Sequence, residues 1–138
     1  MLPEDILEWF RFADMDLALA EYVVSMHPQP LESICYHCQQ AAEKYLKGFL
    51  LAKGMMPPRT HECQQLCDMC VAIDPAFEEL DDACETLTQY GVQPRYPHKM
   101  EIETHHMRQA LRLAQQIKTF SPLVRLRETL EQEQNQSK

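Results

Sequence analysis

The segment at residues 36–51, YHCQQAAEKYLKGFLL, decides the fold, because its apolar and polar residues separate at the period of an α-helix. At about 100° per residue, one side of this helix is filled by Ile34, Cys35, Cys38, Ala41, Ala42, Tyr45, Leu46 and Phe49. The other side carries a polar stripe made of His37, Gln40, Lys44 and Lys47, flanked by Gln39 and Glu43. The segment therefore predicts a helix that packs on a core and presents an ordered set of polar groups.

Helical periodicity continues on both sides of this segment. The sequence predicts a first helix from Pro3 or Glu4 to Met26, a second from Leu31 or Glu32 to Lys53, a third from His61 to Ala72 capped by Thr60, a fourth from Pro75 to Tyr90 capped by Asp74, and a last long helix from Lys99 or Met100 to a break at Pro122. A short helix with Leu123, Leu126 and Leu130 follows and frays from Glu131.

Little of the sequence alternates apolar and polar residues at period two, so the expected fold is all-α, an up-and-down bundle of four or five helices. We expect the bundle over residues 1–122. Residues 123–138 are expected to form a C-terminal helical extension and a polar tail.

The length and the charge limit the classes of function. A chain of 138 residues with a formal net charge of −8 suits one domain with one core. An acidic chain repels a phosphate backbone at long range, so broad binding to nucleic acid is disfavoured, whereas a local basic pocket is allowed. No run is long enough to span a membrane, and the N-terminus lacks a basic leader. We therefore expect a soluble, cytoplasmic protein without membrane contact.

The six cysteines have two interpretations. Without a secretory signal, free thiols are expected rather than disulfides. Five of them lie three or four residues apart within predicted helices, which is the spacing of core packing: Cys35, Cys38, Cys63, Cys67 and Cys70. The alternative is a metal site in which the last three act with His61, although zinc ligands usually come from loops. Because these cysteines lie within predicted helices, no metal site is predicted. The chain also has no glycine-rich phosphate loop and no motif for a familiar cofactor, so no cofactor is predicted.

Four features in order resemble the HEPN family, which is named for nucleotide binding in higher eukaryotes and prokaryotes. They are a long first helix, the stretch HCQQAAEK at residues 37–44, Thr60-His61, and Arg95-Tyr96-Pro97 before the last long helix. The similarity extends from about Trp9 to Phe120 and covers most of the chain. It implies a helical bundle that often pairs as a homodimer.

The polar stripe also has two interpretations. It could line a ligand pocket, where Lys44 and Lys47 meet phosphate or another anion while His37 and Gln40 give directed hydrogen bonds. It could instead be a solvated face on which Glu43 and Lys47 form an ordinary i,i+4 ion pair. The resemblance to HEPN domains favours the interpretation as a ligand pocket. Its predicted ligand-binding residues on this helix are His37, Gln40, Glu43, Lys44 and Lys47.

Two loops complete the predicted site. His61 lies at a helix start, where free N–H groups attract anions; alternatively it is an incidental residue after a cap. Arg95 can bind phosphate with two parallel hydrogen bonds, and Tyr96 can stack on a base. The alternative is that Tyr96 closes the end of the bundle while Arg95 binds a backbone carbonyl or a neighbouring acid.

Family members that cleave RNA have an arginine followed, after roughly four to six residues, by a histidine that moves a proton. The chain has no such pair: Arg95 precedes His98 by two intervening residues and His105 by nine. The leading hypothesis is therefore a nucleotide-binding or interaction module, the partner of a small nucleotidyltransferase in a toxin–antitoxin-like pair, and not a hydrolase. The first alternative is a metal-independent endoribonuclease that acts on RNA through Arg95 and His61. The second is a structural dimer without a ligand.

Overall fold

The computed structural model describes residues 1–91 and 101–136. In that part of the chain there are no strands, and the α-helices are α1 (Pro3–Tyr22), α2 (Leu31–Ala52), α3 (Cys63–Ile73), α4 (Asp81–Thr88), α5 (Thr104–Lys118) and α6 (Ser121–Gln136). Two short 3₁₀ segments, Val23–Ser25 and Pro75–Leu80, extend α1 and precede α4. The all-α bundle predicted from the sequence is confirmed. Among the described residues, no helix is long and apolar enough to cross a membrane.

The first helix begins and ends where its sequence predicts. Pro3 stands in the first turn with Glu4 and Asp5, which suits the positive end of the helix dipole. Its apolar side chains repeat at helical spacing and are buried against the rest of the bundle: Ile6, Phe10, Ala13, Leu17 and Ala20. The chain leaves the 3₁₀ extension at Met26, next to the proline-rich connection to α2.

Helix α2 lies at the centre of the bundle and packs against α1, α3, α4, α5 and α6. Besides its apolar side, α2 buries one member of the polar stripe, Lys47, and both flanking residues, Gln39 and Glu43. The stripe is therefore not wholly the solvated face that one interpretation of the sequence allowed. Its other members, His37, Gln40 and Lys44, are partly exposed.

A glycine allows α1 and α2 to pack closely. A methyl group placed on Gly48 of α2 would lie 2.9 Å from the nearest ring carbon of Phe10 on α1, closer than normal van der Waals contact. The Phe10 ring is fully buried and stacks on Tyr45 at a centroid distance of 6.4 Å. The backbone of α2 thus approaches the aromatic ring of α1 at a position where a larger residue would not fit without rearrangement.

Two helix starts differ from the sequence prediction. The N-cap position of α3 is Glu62, and Thr60 is not its cap; the Thr60 hydroxyl accepts a hydrogen bond from the Glu62 N–H instead, at 3.1 Å. Helix α5 begins at Thr104, later than predicted, because Glu103 and His106 form a reciprocal capping box. In that box the Glu103 N–H donates to His106 Nδ1 at 2.9 Å.

The fourth predicted helix is divided into a 3₁₀ turn and α4. Asp74 caps the 3₁₀ turn as expected, since its carboxylate accepts a hydrogen bond from the Ala76 N–H at 3.0 Å. The turn places Phe77 between two other rings, with centroids 4.4 Å from Phe49 and 4.9 Å from Phe120. Three aromatic rings from different parts of the chain thereby fill one end of the core.

Helix α6 starts at the break predicted at Pro122 and continues to Gln136, well past the point where fraying was expected. Leu123 and Leu130 are buried, and Arg127 forms two hydrogen bonds with Asp14 of α1, at 3.2 and 2.8 Å. The Tyr45 hydroxyl of α2 donates to the same carboxylate. Burial raises the pKa of Asp14, but these hydrogen bonds and the neighbouring positive charges outweigh it and leave the pKa below its ordinary value.

Replacing Gly48 with alanine tests the close approach of the helices. Alanine favours a helix by about 0.5–1 kcal/mol, but overpacking a well-filled core typically costs about 1–3 kcal/mol. We expect Gly48→Ala to lower the free energy of unfolding in urea, because its methyl group meets the Phe10 ring. The double variant Gly48→Ala/Phe10→Leu should lose less unfolding free energy than the sum of the losses of the two single variants, because the smaller side chain at position 10 leaves room for the added methyl group. A more stable Gly48→Ala variant would contradict the close contact.

Candidate functional site

The polar stripe of α2 divides into two groups that meet different parts of the bundle. His37 and Lys44 contact α1, whereas Gln39, Glu43 and Lys47 form a network that includes His61, just before α3. Helical geometry explains the division. Gln39, Glu43 and Lys47 follow one another at steps of four residues and share one side of α2. His37 and Lys44 are seven residues apart and share another side, which contacts α1.

The first group is centred on Asp16 of α1. His37 Nδ1 lies 3.1 Å from one oxygen of this carboxylate, and the Lys44 ammonium donates a short hydrogen bond to the other. All three side chains are partly exposed. Asp16 is not among the site residues predicted from the sequence, because it is one of two acids, with Asp14, between Ala13 and Leu17 on α1, and nothing local distinguishes it. Because Asp16 neutralises Lys44, this cation is not a free anion site.

The second group is centred on Glu43, whose side chain is only 6% exposed. One oxygen accepts a hydrogen bond from Lys47 Nζ at 2.9 Å, and the other lies 2.9 Å from His61 Nδ1. Gln39 donates to the His61 carbonyl at 2.6 Å, and Gln40 donates to the Gln39 side chain at 2.8 Å. Thus the carboxylate, the ammonium and two amides form a connected network inside the bundle. We call it the Glu43 network.

His61 is the part of the Glu43 network that reaches solvent. Its side chain is 70% exposed, although Nδ1 is bound to the buried carboxylate. An ionised carboxylate only accepts hydrogen bonds, so Nδ1 carries the proton and Nε2 is left for solvent or a ligand. A buried acid that fixes the orientation and the tautomer of an exposed imidazole is an arrangement suited to directed hydrogen bonding or proton transfer.

The thiols next to the network are structural. All six cysteines are free and buried. Cys63, Cys67 and Cys70 each contact a different backbone carbonyl, those of Gln39, Phe77 and Leu46. They do not share a metal site with His61, which was the alternative considered from their spacing. Burial, followed by the negative charge of Glu43, raises the pKa of the Cys63 thiol to about 12, so this cysteine is not a nucleophile near neutral pH.

The loop after α4 returns to the same place. A methyl group on Gly91 would lie 3.1 Å from the His61 carbonyl oxygen and 3.4 Å from the Gln39 amide, so the loop after α4 is close to the His61 backbone and to the Gln39 side chain. Arg95, Tyr96 and His98 lie outside the described residues. Their proposed roles in the site therefore remain predictions from the sequence.

Several pockets of the described residues lie outside the Glu43 network, and two of them contain charged groups that bear on function. One, of about 460 Å³, is lined by Asp5, Glu8, Trp9, Phe12 and Lys44 at the surface of α1 and α2. The other is acidic and lies beside α3 and α4, where Asp81, Asp82 and Glu85 form the one group of carboxylates close enough to share a cation among the described residues. Exposed acidic groups of this kind are common without an ion, and we assign no site to them.

The structure thus brings together some of the residues predicted from the sequence. Glu43, Lys47 and His61 share one network, and Gln40 reaches it through Gln39. His37 and Lys44 form a separate group on Asp16. Each lysine is paired with a carboxylate of the chain itself, so positive charge on α2 is balanced internally. Gln39 was regarded only as a flanking residue, yet it contacts the His61 backbone directly.

The Glu43 network leads to a stability prediction. Replacing one partner of a buried ion pair leaves the other charge uncompensated, which typically costs about 3–5 kcal/mol. We expect Glu43→Gln to lower the free energy of unfolding by a large part of that range, because Lys47 is only 11% exposed. The double variant Glu43→Gln/Lys47→Met should recover much of the loss. Asp16→Asn is the matched control, since its partly exposed pair with Lys44 contributes at most about 1 kcal/mol. Equal losses for the two single variants would contradict a buried network.

Comparison with known proteins places the chain in a family. The family model described as "HEPN domain" matches residues 6–124. Among solved structures, a similar chain is described as the crystal structure of TT1696 from Thermus thermophilus. It superimposes with a TM-score of 0.70 at 25% sequence identity, and the match covers 88% of this chain and 97% of the other. No curated protein sequence shows significant similarity to the chain. The match to the family model spans most of the chain and agrees with the all-α bundle, and we conclude that the chain belongs to the HEPN domain family.

Proposed function

We propose that the chain is a nucleotide-binding and interaction module and that it acts as the partner of a small nucleotidyltransferase. HEPN domains are a family of nucleotide-binding or RNase-type modules, and they commonly dimerise. The observation that supports ligand binding is the Glu43 network, which holds the exposed His61 imidazole in a fixed orientation. A toxin–antitoxin-like pairing, as a homodimer in the cytoplasm, is part of the same proposal.

A buried ion pair is not the most stable way to fill a bundle. Apolar residues of similar volume at Glu43 and Lys47 would often be as stable or more stable, because two charges need not be removed from water. The network is better explained by what it does for His61, whose exposed Nε2 can accept a hydrogen bond when neutral and donate one when protonated. Nucleotides offer partners of both kinds, in the phosphate oxygens and in the exocyclic amines of the bases.

The internal charge balance limits how a nucleotide would bind. Lys44 and Lys47 are each paired with a carboxylate, so they add little net attraction for phosphate. Directed contacts from His61 and Gln40 therefore carry more of the recognition, with His37 and Lys44 as further contacts on the neighbouring group. Arg95 is the proposed phosphate contact from the undescribed loop, and Tyr96 the proposed stacking group. We expect a weak affinity, with a Kd on the order of 1 mM, or about −4 kcal/mol.

Calorimetric titration with nucleoside triphosphates tests the binding. We expect His61→Ala to weaken binding at least about tenfold, equivalent to about 1.4 kcal/mol, because it removes the exposed end of the Glu43 network. His105→Ala is the matched control, since that imidazole is 68% exposed and lies 3.4 Å from a carboxylate of Glu103 outside the network. Absence of heat with every nucleotide at millimolar concentration would reject the nucleotide claim, and equal binding by both variants would reject the site.

The same imidazole favours a second candidate function, a metal-independent endoribonuclease. In that mechanism His61 would move a proton, with Glu43 holding its tautomer, and Arg95 would stabilise charge on the phosphate. The missing arginine–histidine spacing counts against this candidate and makes it the alternative rather than the conclusion.

Incubation of the pure protein with RNA in the presence of EDTA separates the two candidates. If the endoribonuclease hypothesis is correct, His61→Ala and Arg95→Ala should each lower the cleavage rate by about 10²–10⁴, whereas His105→Ala should leave it unchanged. Intact RNA with the wild-type protein, or cleavage that persists in the His61 and Arg95 variants, would exclude this function. A chain that neither binds nucleotides nor cleaves RNA would leave the structural dimer as the explanation.

A further inference from the structure

The outward side of α1 carries a row of large apolar side chains that the bundle does not use. Phe12, Met15, Leu19 and Tyr22 follow one another at steps of three and four residues, so they lie along one side of α1, and Met26 follows directly after the 3₁₀ extension. These five side chains are between 43% and 82% exposed. We call this row the outer stripe. Single exposed apolar residues need no explanation, but a row over about three helical turns marks an interaction surface.

The outer stripe leads into the pocket of about 460 Å³ at the N-terminal half of α1. Trp9 and Phe12 supply aromatic surface there, and Asp5 and Glu8 supply carboxylates. Within residues 1–91 and 101–136, neither of these carboxylates forms an ion pair, whereas Lys44, which also lines the pocket, is neutralised by Asp16. Aromatic rings beside unpaired carboxylates suit a guanidinium or an ammonium group.

We propose that the outer stripe docks an amphipathic helix of a protein partner, and that an arginine or lysine at one end of that helix enters the pocket. The apolar row would bury against the apolar face of the partner, as in other complexes that place a helix against a groove. The acids at its end would fix the direction of the incoming helix by charge complementarity. This inference rests on the proposed partner role and does not depend on nucleotide binding.

The charges of α1 argue for a basic partner rather than a second copy of this chain. The helix contains six acids, Glu4, Asp5, Glu8, Asp14, Asp16 and Glu21, and one base, Arg11. In an antiparallel copy centred on Leu19, Asp5 and Glu8 would lie beyond the C-terminal end of the partner's α1 and would meet no cation on it. A parallel copy would set acids against acids, which is unfavourable. A homodimer formed through another surface is compatible with this assignment.

The single tryptophan of the chain makes the surface measurable, because Trp9 lines the pocket. The probes are two synthetic helical peptides with the same leucine face, one ending in two arginines and the other in two glutamates. We expect the arginine peptide to change the Trp9 emission and to bind at least about tenfold more tightly than its twin. Leu19→Glu should abolish binding of both peptides, and Asp5→Asn/Glu8→Gln should remove the preference for arginine. Asp82→Asn/Glu85→Gln, which removes two exposed acids of α4, is the control and should change neither.

Three results with the isolated protein would overturn the inference, and a fourth comes from co-purification. The first is no binding of either peptide, and the second is equal binding of the two by the wild-type protein. The third is a concentration-dependent dimer in sedimentation that Leu19→Glu disrupts, because a second copy would then occupy the stripe. Co-purification with a nucleotidyltransferase encoded by an adjacent gene tests the partner role separately. If Leu19→Glu co-purifies with the nucleotidyltransferase as well as the wild type does, the outer stripe is not the docking surface, but the partner role stands. If the wild type does not co-purify, the partner role fails, and only the peptide measurements then test the outer stripe as a docking surface.

Discussion

The close contact between Phe10 and Gly48 is the constraint on which the rest of the bundle depends. Without a side chain on Gly48, α2 approaches α1 until the Phe10 ring meets its backbone. This short separation lets the next polar residues of α1 reach α2, so that Asp14 meets Tyr45, and Asp16 meets Lys44. A wider separation would leave these carboxylates facing water, where an ion pair contributes little. The positions of the charged groups therefore follow from an apolar contact.

The central helix also explains why charges are buried at all. Helices surround α2 on several sides, so residues that a surface helix would expose are enclosed, including Gln39, Glu43 and Lys47. Enclosure of an unpaired charge would be strongly destabilising, and the chain avoids it because Glu43 has three hydrogen-bonding partners, Gln39, Lys47 and His61. The exposed His61 is thus connected to the interior through Glu43. A substitution at either residue removes the hydrogen bond between them and so changes the surroundings of the other.

The sequence predicts the elements well because helical periodicity and caps are local signals. Pro3, Asp74 and Pro122 mark boundaries that the structure contains, since proline and capping residues act within one turn. Helix α3 starts two residues later than predicted, at Cys63, because its N-cap position is Glu62, which makes no side-chain capping hydrogen bond and therefore gives no local signal in the sequence. The division of the polar stripe was not predictable from α2 alone. It depends on Asp16, which lies 21 positions before His37 in the chain and meets it only in the folded bundle.

The charge balance of the bundle limits the kind of ligand that the chain can recognise. A site that binds phosphate by charge needs cations that are not already neutralised, yet Lys44 and Lys47 each face a carboxylate. The formal charge of −8 acts in the same direction at long range. What the described part of the chain offers is the exposed His61 imidazole, oriented by a buried carboxylate, and, on the outward side of α1, apolar surface next to unpaired acids. These two surfaces favour ligands of opposite character, the first a group that exchanges directed hydrogen bonds and the second an apolar segment with positive charge. If both proposals hold, a small acidic bundle of this kind would join a basic protein to a nucleotide rather than hold a nucleic-acid strand by its charge.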